Sequence, residues 1–254
     1  VAGHSKFKNI QHRKGAQDQK RAKIFTKLIR EIITAVRSGS PDPVMNSKLR
    51  HAIAAARGAN LPRDRIDKAI KQASGANDQD QYFEMRYEGF ASGGIALIVE
   101  ALTDNRNRTA SDVRSAFTKF GGNLGETGSV NFMFEHLGII LYHLSGKDPE
   151  EMLQIALDVG ALDVVSEGSS HTLYTSIEDF TQVMDEISGI LGDPASVSIG
   201  WRPKNLVLID DEDRLKSLLK LVDALEESDD VQKVYGNYEI SDKLYEKLNL
   251  ANDE

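Results

Sequence analysis

Phe25, Leu28, Ile29, Ile32, Ile33 and Val36 recur at the three- and four-residue spacing of an α-helix, so they share one side of it. Lys20, Lys23, Lys27, Arg30 and Arg37 fall on the opposite side. Such a stretch must bury its apolar face in a core, and its other face then carries a row of cations. The pattern predicts a helix over residues 17–38, stopped by Gly39. A basic arm precedes it: Lys6, Lys8, Arg13 and Lys14 lie within residues 4–14, beside His4 and His12 and with no acid.

The charge along the chain is segregated. Residues 1–75 hold 17 Lys+Arg against 5 Asp+Glu, a net +12, whereas residues 76–254 hold 14 against 34, a net −20. The whole-chain value of −8 conceals this division. A cationic module on an anionic body attracts phosphate at one end and repels it elsewhere, which orients a polyanion. The alternative is two oppositely charged domains that dock on each other.

Short amphipathic helices continue the basic region. Ser40-Pro41-Asp42-Pro43 reads as a turn, with Asp42 capping a second helix and Pro43 in its first position. Met45, Leu49, Ile53 and Ala56 mark the buried side of that helix, and Gly58 its end. Asn60-Leu61-Pro62 opens a third helix, with Ile66, Ala69, Ile70 and Ala73 inward. These helices add Lys48, Arg50, Arg57, Arg63, Arg65, Lys68 and Lys71. Phe7 and Phe25 are the only aromatic residues here, which disfavours a base-stacking platform and favours contact with a phosphate backbone.

The pattern changes after a polar linker at residues 74–80. Strands are predicted at 82–87 and 95–102, joined through Gly89 and Gly93-Gly94, then a helix to about residue 120 behind Thr103-Asp104-Asn105, and a strand at 130–134. From residue 139 the order is strand, helix, strand, strand, helix, strand, the split βαβ or ferredoxin-like arrangement. A strand at 206–209, a helix at 213–225 and a strand at 231–235 follow, placed to complete the sheet begun at Tyr82. The fold class is therefore α+β: an N-terminal three-helix domain followed by two α+β, ferredoxin-like domains, the second inserted in the first. The boundaries are 1–75 for the basic helical domain, 76–135 plus 204–254 for the first α+β domain, and 136–203 for the inserted one.

The residues exclude much chemistry. The absence of Cys removes disulfides, thiolate metal sites and Cys nucleophiles. His4, His12, His51, His136, His143 and His171 show no i, i+4 pair suited to zinc. The Gly121–Gly128 loop fits no phosphate-cradling glycine motif and reads as a turn, and no G-x-S-x-G elbow exists. No apolar run is long enough for a membrane span, and the N-terminus has no apolar segment of a secretory signal. No enzyme, metal, cofactor, membrane or small-molecule substrate is expected. A second basic spot, Arg106 and Arg108 within Asn105-Arg106-Asn107-Arg108, opens a predicted helix. It can hold a phosphate or carboxylate, or else serve as cap and ion-pair partner to the acidic body.

The opening GHSKFKNIQHRKGAQDQKRAKIFTKLIREI resembles the signature of the YebC/PmpR family. The likeness continues through Leu61-Pro62, Thr103 to Thr109, Gly121 to Gly125, Gly128-Ser129-Val130, Trp201-Arg202-Pro203 and Asp229-Asp230-Val231. Phe7 stands where the family commonly has Trp, and Gly236 where Thr is usual. The family includes bacterial proteins described as transcriptional regulators and the mitochondrial translational activator of cytochrome oxidase subunit I. The resemblance implies nucleic-acid binding without a cofactor. Together these readings predict a cytoplasmic, non-enzymatic regulator of gene expression, with DNA as partner and Lys6, Lys8, Arg13, Lys14, Lys20, Arg21, Lys23, Lys27 and Arg30 as backbone contacts. The alternatives are a ribosome-associated factor that binds ribosomal RNA and assists synthesis of difficult stretches such as polyproline, and a protein-interaction scaffold. The acidic domains are left to contact the ribosome or another protein.

Overall fold

The computed structural model describes the backbone of residues 17–75, 82–144 and 146–250, and the side chains of those residues from 21 to 247. It divides into two compact units. One carries the described parts of Val1–Lys23, Gln79–Glu135 and Trp201–Glu254; the other carries those of Ile24–Asp78 and His136–Gly200.

Three helices lead the described residues: α1 (Gln17–Arg37), α2 (Ser47–Gly58) and α3 (Arg63–Ser74). The predicted apolar face of α1 is the buried one. Phe25, Ile32 and Val36 join Leu49, Ile53 and Ala56 of α2 and Ile66, Ala69 and Ala73 of α3 in one core, with Leu28, Ile29 and Ile33 packed at its edge. The start of α2 differs from the sequence reading. Asn46, not Asp42, is its cap, accepting from the Leu49 N–H at 3.0 Å. The same buried side chain donates to the carbonyls of Ala35 and Ser40, both at 2.8 Å. One amide thus satisfies the end of α1 and the start of α2, which a carboxylate at Asp42 cannot do because it has no N–H to give. Asp42 instead accepts from Val44 N–H within the turn, and Met45, expected inward, is 77% exposed.

In the same unit lies a βαββαβ segment: β4 (Phe134–His143), α5 (Pro149–Asp158), β5 (Asp163–Glu167), β6 (Ser170–Thr175), α6 (Phe180–Leu191) and β7 (Ser196–Pro203). Its sheet order is β5-β6-β4-β7, the ferredoxin-like order expected for this element sequence. Asp148 caps α5 and Pro149 occupies its first position. Gly58 fits this unit for lack of a side chain, since a Cβ there would lie 2.3 Å from the Ala195 carbonyl oxygen.

The other unit contains β1 (Phe83–Ala91), β2 (Ile95–Thr103), α4 (Arg106–Lys119) and β3 (Asn123–Leu124). Beyond the inserted segment it continues with β8 (Val207–Ile209), α7 (Glu212–Glu227), β9 (Val231–Gly236), β10 (Tyr238–Ile240) and α8 (Asp242–Leu250). The sheet order is β3-β1-β2-β9. It is the ferredoxin-like order with the third strand moved: β1 fills the slot between β3 and β2 but comes first in the chain. The expected closure of this sheet by the C-terminal region is made by β9 alone. β8 pairs instead with β10, in parallel, through Val207↔Tyr238 and Ile209↔Ile240. Neither β10 nor α8 was predicted.

β2 is central and apolar on both faces. Ile95, Leu97 and Val99 pack toward α4 and α7, while Ala96 and Ile98 pack on Val130, Phe134 and Trp201. β1 runs past Gly89, beyond the end at residue 87 that the sequence pattern predicts. A Cβ at Gly89 would meet the Asn123 carbonyl oxygen at 2.6 Å and the Phe117 ring at 2.8 Å, so glycine lets β3 and α4 approach the strand. The turn falls at Gly93 and Gly94, whose φ angles of 81° and 76° suit glycine. The strand predicted at 130–134 is a 3₁₀ turn, Asn131–Met133, leading into a longer β4. The cause is Glu88. Its buried carboxylate accepts from the N–H groups of Val130 and Asn131 at 2.9 and 3.0 Å, removing them from any ladder. Burial opposes ionisation of Glu88, but those N–H groups and the Arg86 guanidinium, 3.0 Å away, hold its carboxyl below its usual range.

His51 on α2 rests against Phe180 with ring centroids 4.5 Å apart, and its Nε2 lies 3.2 Å from Thr181 Oγ1. Burial first, then the charge of Arg50, lowers its pKa from 6.5 to about 4. Above pH 6.5 the ring is neutral whether folded or unfolded. As pH falls from 6.5 to about 4, the unfolded chain takes up a proton that the folded chain excludes, so stability is lost across that window. Melting midpoints measured over this range should fall less steeply in His51→Gln than in the parent; parallel curves would contradict this placement.

Candidate nucleic-acid interface

The cations predicted as contacts are only partly within the described residues. Lys6, Lys8, Arg13 and Lys14 lie outside them, and Lys20 is described in its backbone alone, at the start of α1. Arg21 and Lys23 are exposed, and Lys27 and Arg30 are half-buried. Lys23 is held at its tip: Nζ donates to the Glu227 carbonyl at 3.2 Å. That carbonyl closes α7, where the helix dipole favours a cation.

α2 and α3 carry cations that the sequence reading counted but did not single out. Arg50 is spent on the carbonyls of Pro43 and Val44, at 3.2 and 3.3 Å. Arg65 lies over Phe25, 5.9 Å from its centroid, and Arg63 pairs loosely with Asp67 at 3.9 Å. Arg57, Lys68 and Lys71 are exposed and have no carboxylate partner among the described residues. Lys68 and Lys71 stand three apart on α3 and so share a side of it. Spacing alone could have placed that pair; its freedom from carboxylates needed the fold.

The second basic spot is divided by the structure. Asn105 caps α4, accepting from Arg108 N–H at 3.1 Å. The Arg108 guanidinium Nη2 donates to Asp104 at 2.7 Å and Asp230 at 2.8 Å. Asp230 is 5% exposed, and the hydroxyls of Thr103 and Thr109 also lie 3.2 and 2.8 Å from its Oδ2. Thr103-Asp104-Asn105-Arg106-Asn107-Arg108-Thr109 is therefore a pin that ties α4 to the start of β9. Arg106 is not part of it. Its guanidinium carbon sits 4.0 Å from the Phe83 ring centroid, a cation–π stack, and the residue is exposed. Among the described residues no group of His, Asp and Glu could hold a metal ion, and no helix is long and apolar enough to cross a membrane.

A basic helical region ahead of two ferredoxin-like sheets, one interrupting the other in the chain, defines a modular α+β protein whose charge is segregated along its sequence. Comparison with known proteins agrees with this architecture. Residues 5–76 match the model of the TACO1/YebC protein N-terminal domain, and residues 82–238 match that of the TACO1/YebC second and third domain. A protein of Rickettsia bellii named "probable transcriptional regulatory protein" is 60% identical over 248 residues, spanning 98% of this chain and 97% of the relative. One of the same description from Rickettsia rickettsii is 56% identical over 247 residues, spanning 97% and 98%. The crystal structure of a conserved hypothetical protein from Aquifex aeolicus superposes with a TM-score of 0.81 at 44% identity, covering 89% of this chain and 93% of that one. The chain belongs to the TACO1/YebC family.

Replacing Asp230 by Ala removes the acceptor that a guanidinium and two hydroxyls share in a nearly closed site. It should destabilise the protein by about 3 kcal/mol, read by chemical denaturation. Arg108→Ala removes only the half-exposed partner and should cost clearly less; equal losses would show that the carboxylate is not the hub.

Proposed function

We propose that this chain is a nucleic-acid-binding regulator of gene expression that acts on transcription by gripping the DNA backbone through its basic N-terminal region. The observation that carries this reading is the segregation of charge, +12 over residues 1–75 against −20 over the rest. The relatives named "probable transcriptional regulatory protein" support it. The apolar face of α1 is committed to the core, which supports a reading in which its opposite, cationic face meets phosphate. Arg57, Lys68 and Lys71 extend the set of cations available to phosphate. Such contacts fix register and orientation without reading sequence. The acidic remainder repels the polyanion and is left for a protein partner.

If six to eight phosphates are neutralised on a duplex, log K should fall with log salt at a slope of about −5 to −7. Two triple variants test the surface: Lys20→Ala with Lys23→Ala and Lys27→Ala, and Arg57→Ala with Lys68→Ala and Lys71→Ala. Each should weaken duplex binding and flatten the slope by roughly one unit for every phosphate contact removed. Unchanged affinity in both would remove the reading. The same titration on ribosomal RNA decides the polymer: tighter binding there than to duplex DNA at equal salt would transfer the role from transcription to translation.

A further inference from the structure

The unit built on β1, β2, β3 and β9 belongs to the acidic part of the chain, where 14 Lys+Arg face 34 Asp+Glu over residues 76–254. Three of those fourteen cations nevertheless line one cleft. It has a volume of about 510 Å³ and lies between the end of α4, the β1–β2 turn and the first three turns of α7. Lys119, Lys216 and Lys220 supply its charge, Ser92 and Ser217 its hydroxyls, and Asp213 the one carboxylate among the lining residues. Lys216 is held by Glu212 at 2.6 Å. Lys119 and Lys220 have no carboxylate partner among the described residues; Lys119 Nζ lies 5.4 Å from the Phe120 ring centroid. The floor is fixed, because Ser217 Oγ donates to the Phe120 carbonyl at 2.9 Å and ties α7 to the end of α4. At Gly121, with φ of 74°, no heavy atom lies within 4 Å of where a Cβ would stand, so space opens beside the lysines.

Two lysines without a carboxylate partner among the described residues, and a third already held by Glu212, line one concavity whose lining carries a single carboxylate, Asp213, so its charge is left net positive on a unit rich in acids. We propose that this cleft binds the phosphate of a nucleotide unit, either a free nucleotide or one link of a strand. Lysine ammoniums serve phosphate as mobile point charges, and the volume is in the range of a small organic ligand. The site is separate in sequence from the cations of α1 and α3. It escaped sequence reading because Lys119 and Lys220 are a hundred residues apart and each looks like an ordinary helix-surface residue.

The test uses the full-length protein and amide chemical shifts. Adenosine monophosphate should move the signals of Ser92, Gly121 and Ser217 and saturate. The double variant Lys119→Gln with Lys220→Gln, which spares the Lys216–Glu212 pair, should bind it at least tenfold more weakly with an unchanged melting midpoint. The Lys20, Lys23 and Lys27 triple variant should bind it as the parent does, so failure of the α1 interface and failure of this cleft are separable. A single-stranded hexanucleotide that moves the same signals at lower concentration assigns the site to a strand; an equal or weaker response assigns it to the free nucleotide. No movement of those three signals, equal affinity in the double variant, or equal binding of a hexaglutamate peptide would each overturn the proposal.

Discussion

The pairing of β2 with β9 is the constraint on which one unit of this protein depends. Leu97↔Gly236, Ile98↔Tyr235 and Val99↔Val234 join residues more than a hundred apart in the chain. The strand at the centre is buried almost throughout, so an unpaired edge there would leave both backbone groups and apolar side chains unsatisfied. Closing the sheet requires the inserted segment to leave the unit and return to it at nearly the same point. The ferredoxin-like order allows this, because the first and last strands of the insert, β4 and β7, are neighbours. The junction is stitched by Lys204 N–H donating to the Met133 carbonyl at 2.9 Å, and by Trp201 Nε1 donating to Glu100 at 2.8 Å. Arg86, 5.1 Å from the Trp201 centroid and paired with Glu88, links that junction to the pinned turn at Val130.

Two buried carboxylates do most of the local shaping in that unit. Glu88 converts a stretch that reads as strand into a 3₁₀ turn, and Asp230 collects Arg108, Thr103 and Thr109 at the root of α4. At Glu88 the N–H groups of Val130 and Asn131 and the Arg86 guanidinium favour the carboxylate in a closed place, and at Asp230 one oxygen gathers a guanidinium and two hydroxyls. Such sites are costly to disturb from one side only, so the network around Asp230 is expected to respond as a unit and not as separate pairs.

Much of the architecture was legible because periodicity is a physical demand. The apolar stripe of α1 had to face a core, and the βαββαβ order of residues 134–203 allowed few sheets. The misreadings share a cause: partners that lie outside the element being read. Asn46 outranks Asp42 as a cap because of two carbonyls supplied by Ala35 and Ser40. Gly89 is a strand residue because of Phe117 and Asn123. β8 leaves the main sheet because β10, beyond the last predicted strand, offers it a parallel edge. For the candidate interface, the sequence showed where charge accumulates but not which charges are already spent. Lys23, Arg50 and Arg108 are each engaged by a carbonyl or carboxylate, whereas Lys68 and Lys71 are not, and composition cannot tell these apart.

The displaced order of β1 has a consequence for biosynthesis. In a chain that emerges from its N-terminal end, β1 and β2 form their hairpin early, yet the far edge of β2 has no neighbour until Val231 has been made. During that interval the ribosome adds the whole βαββαβ segment, whose strands pair only with one another and which can therefore close on its own. An apolar strand left waiting is a template for wrong partners. The nascent protein thus carries a half-built sheet through the synthesis of more than a hundred residues, and chaperone demand should concentrate there rather than in the early helices or the self-sufficient insert.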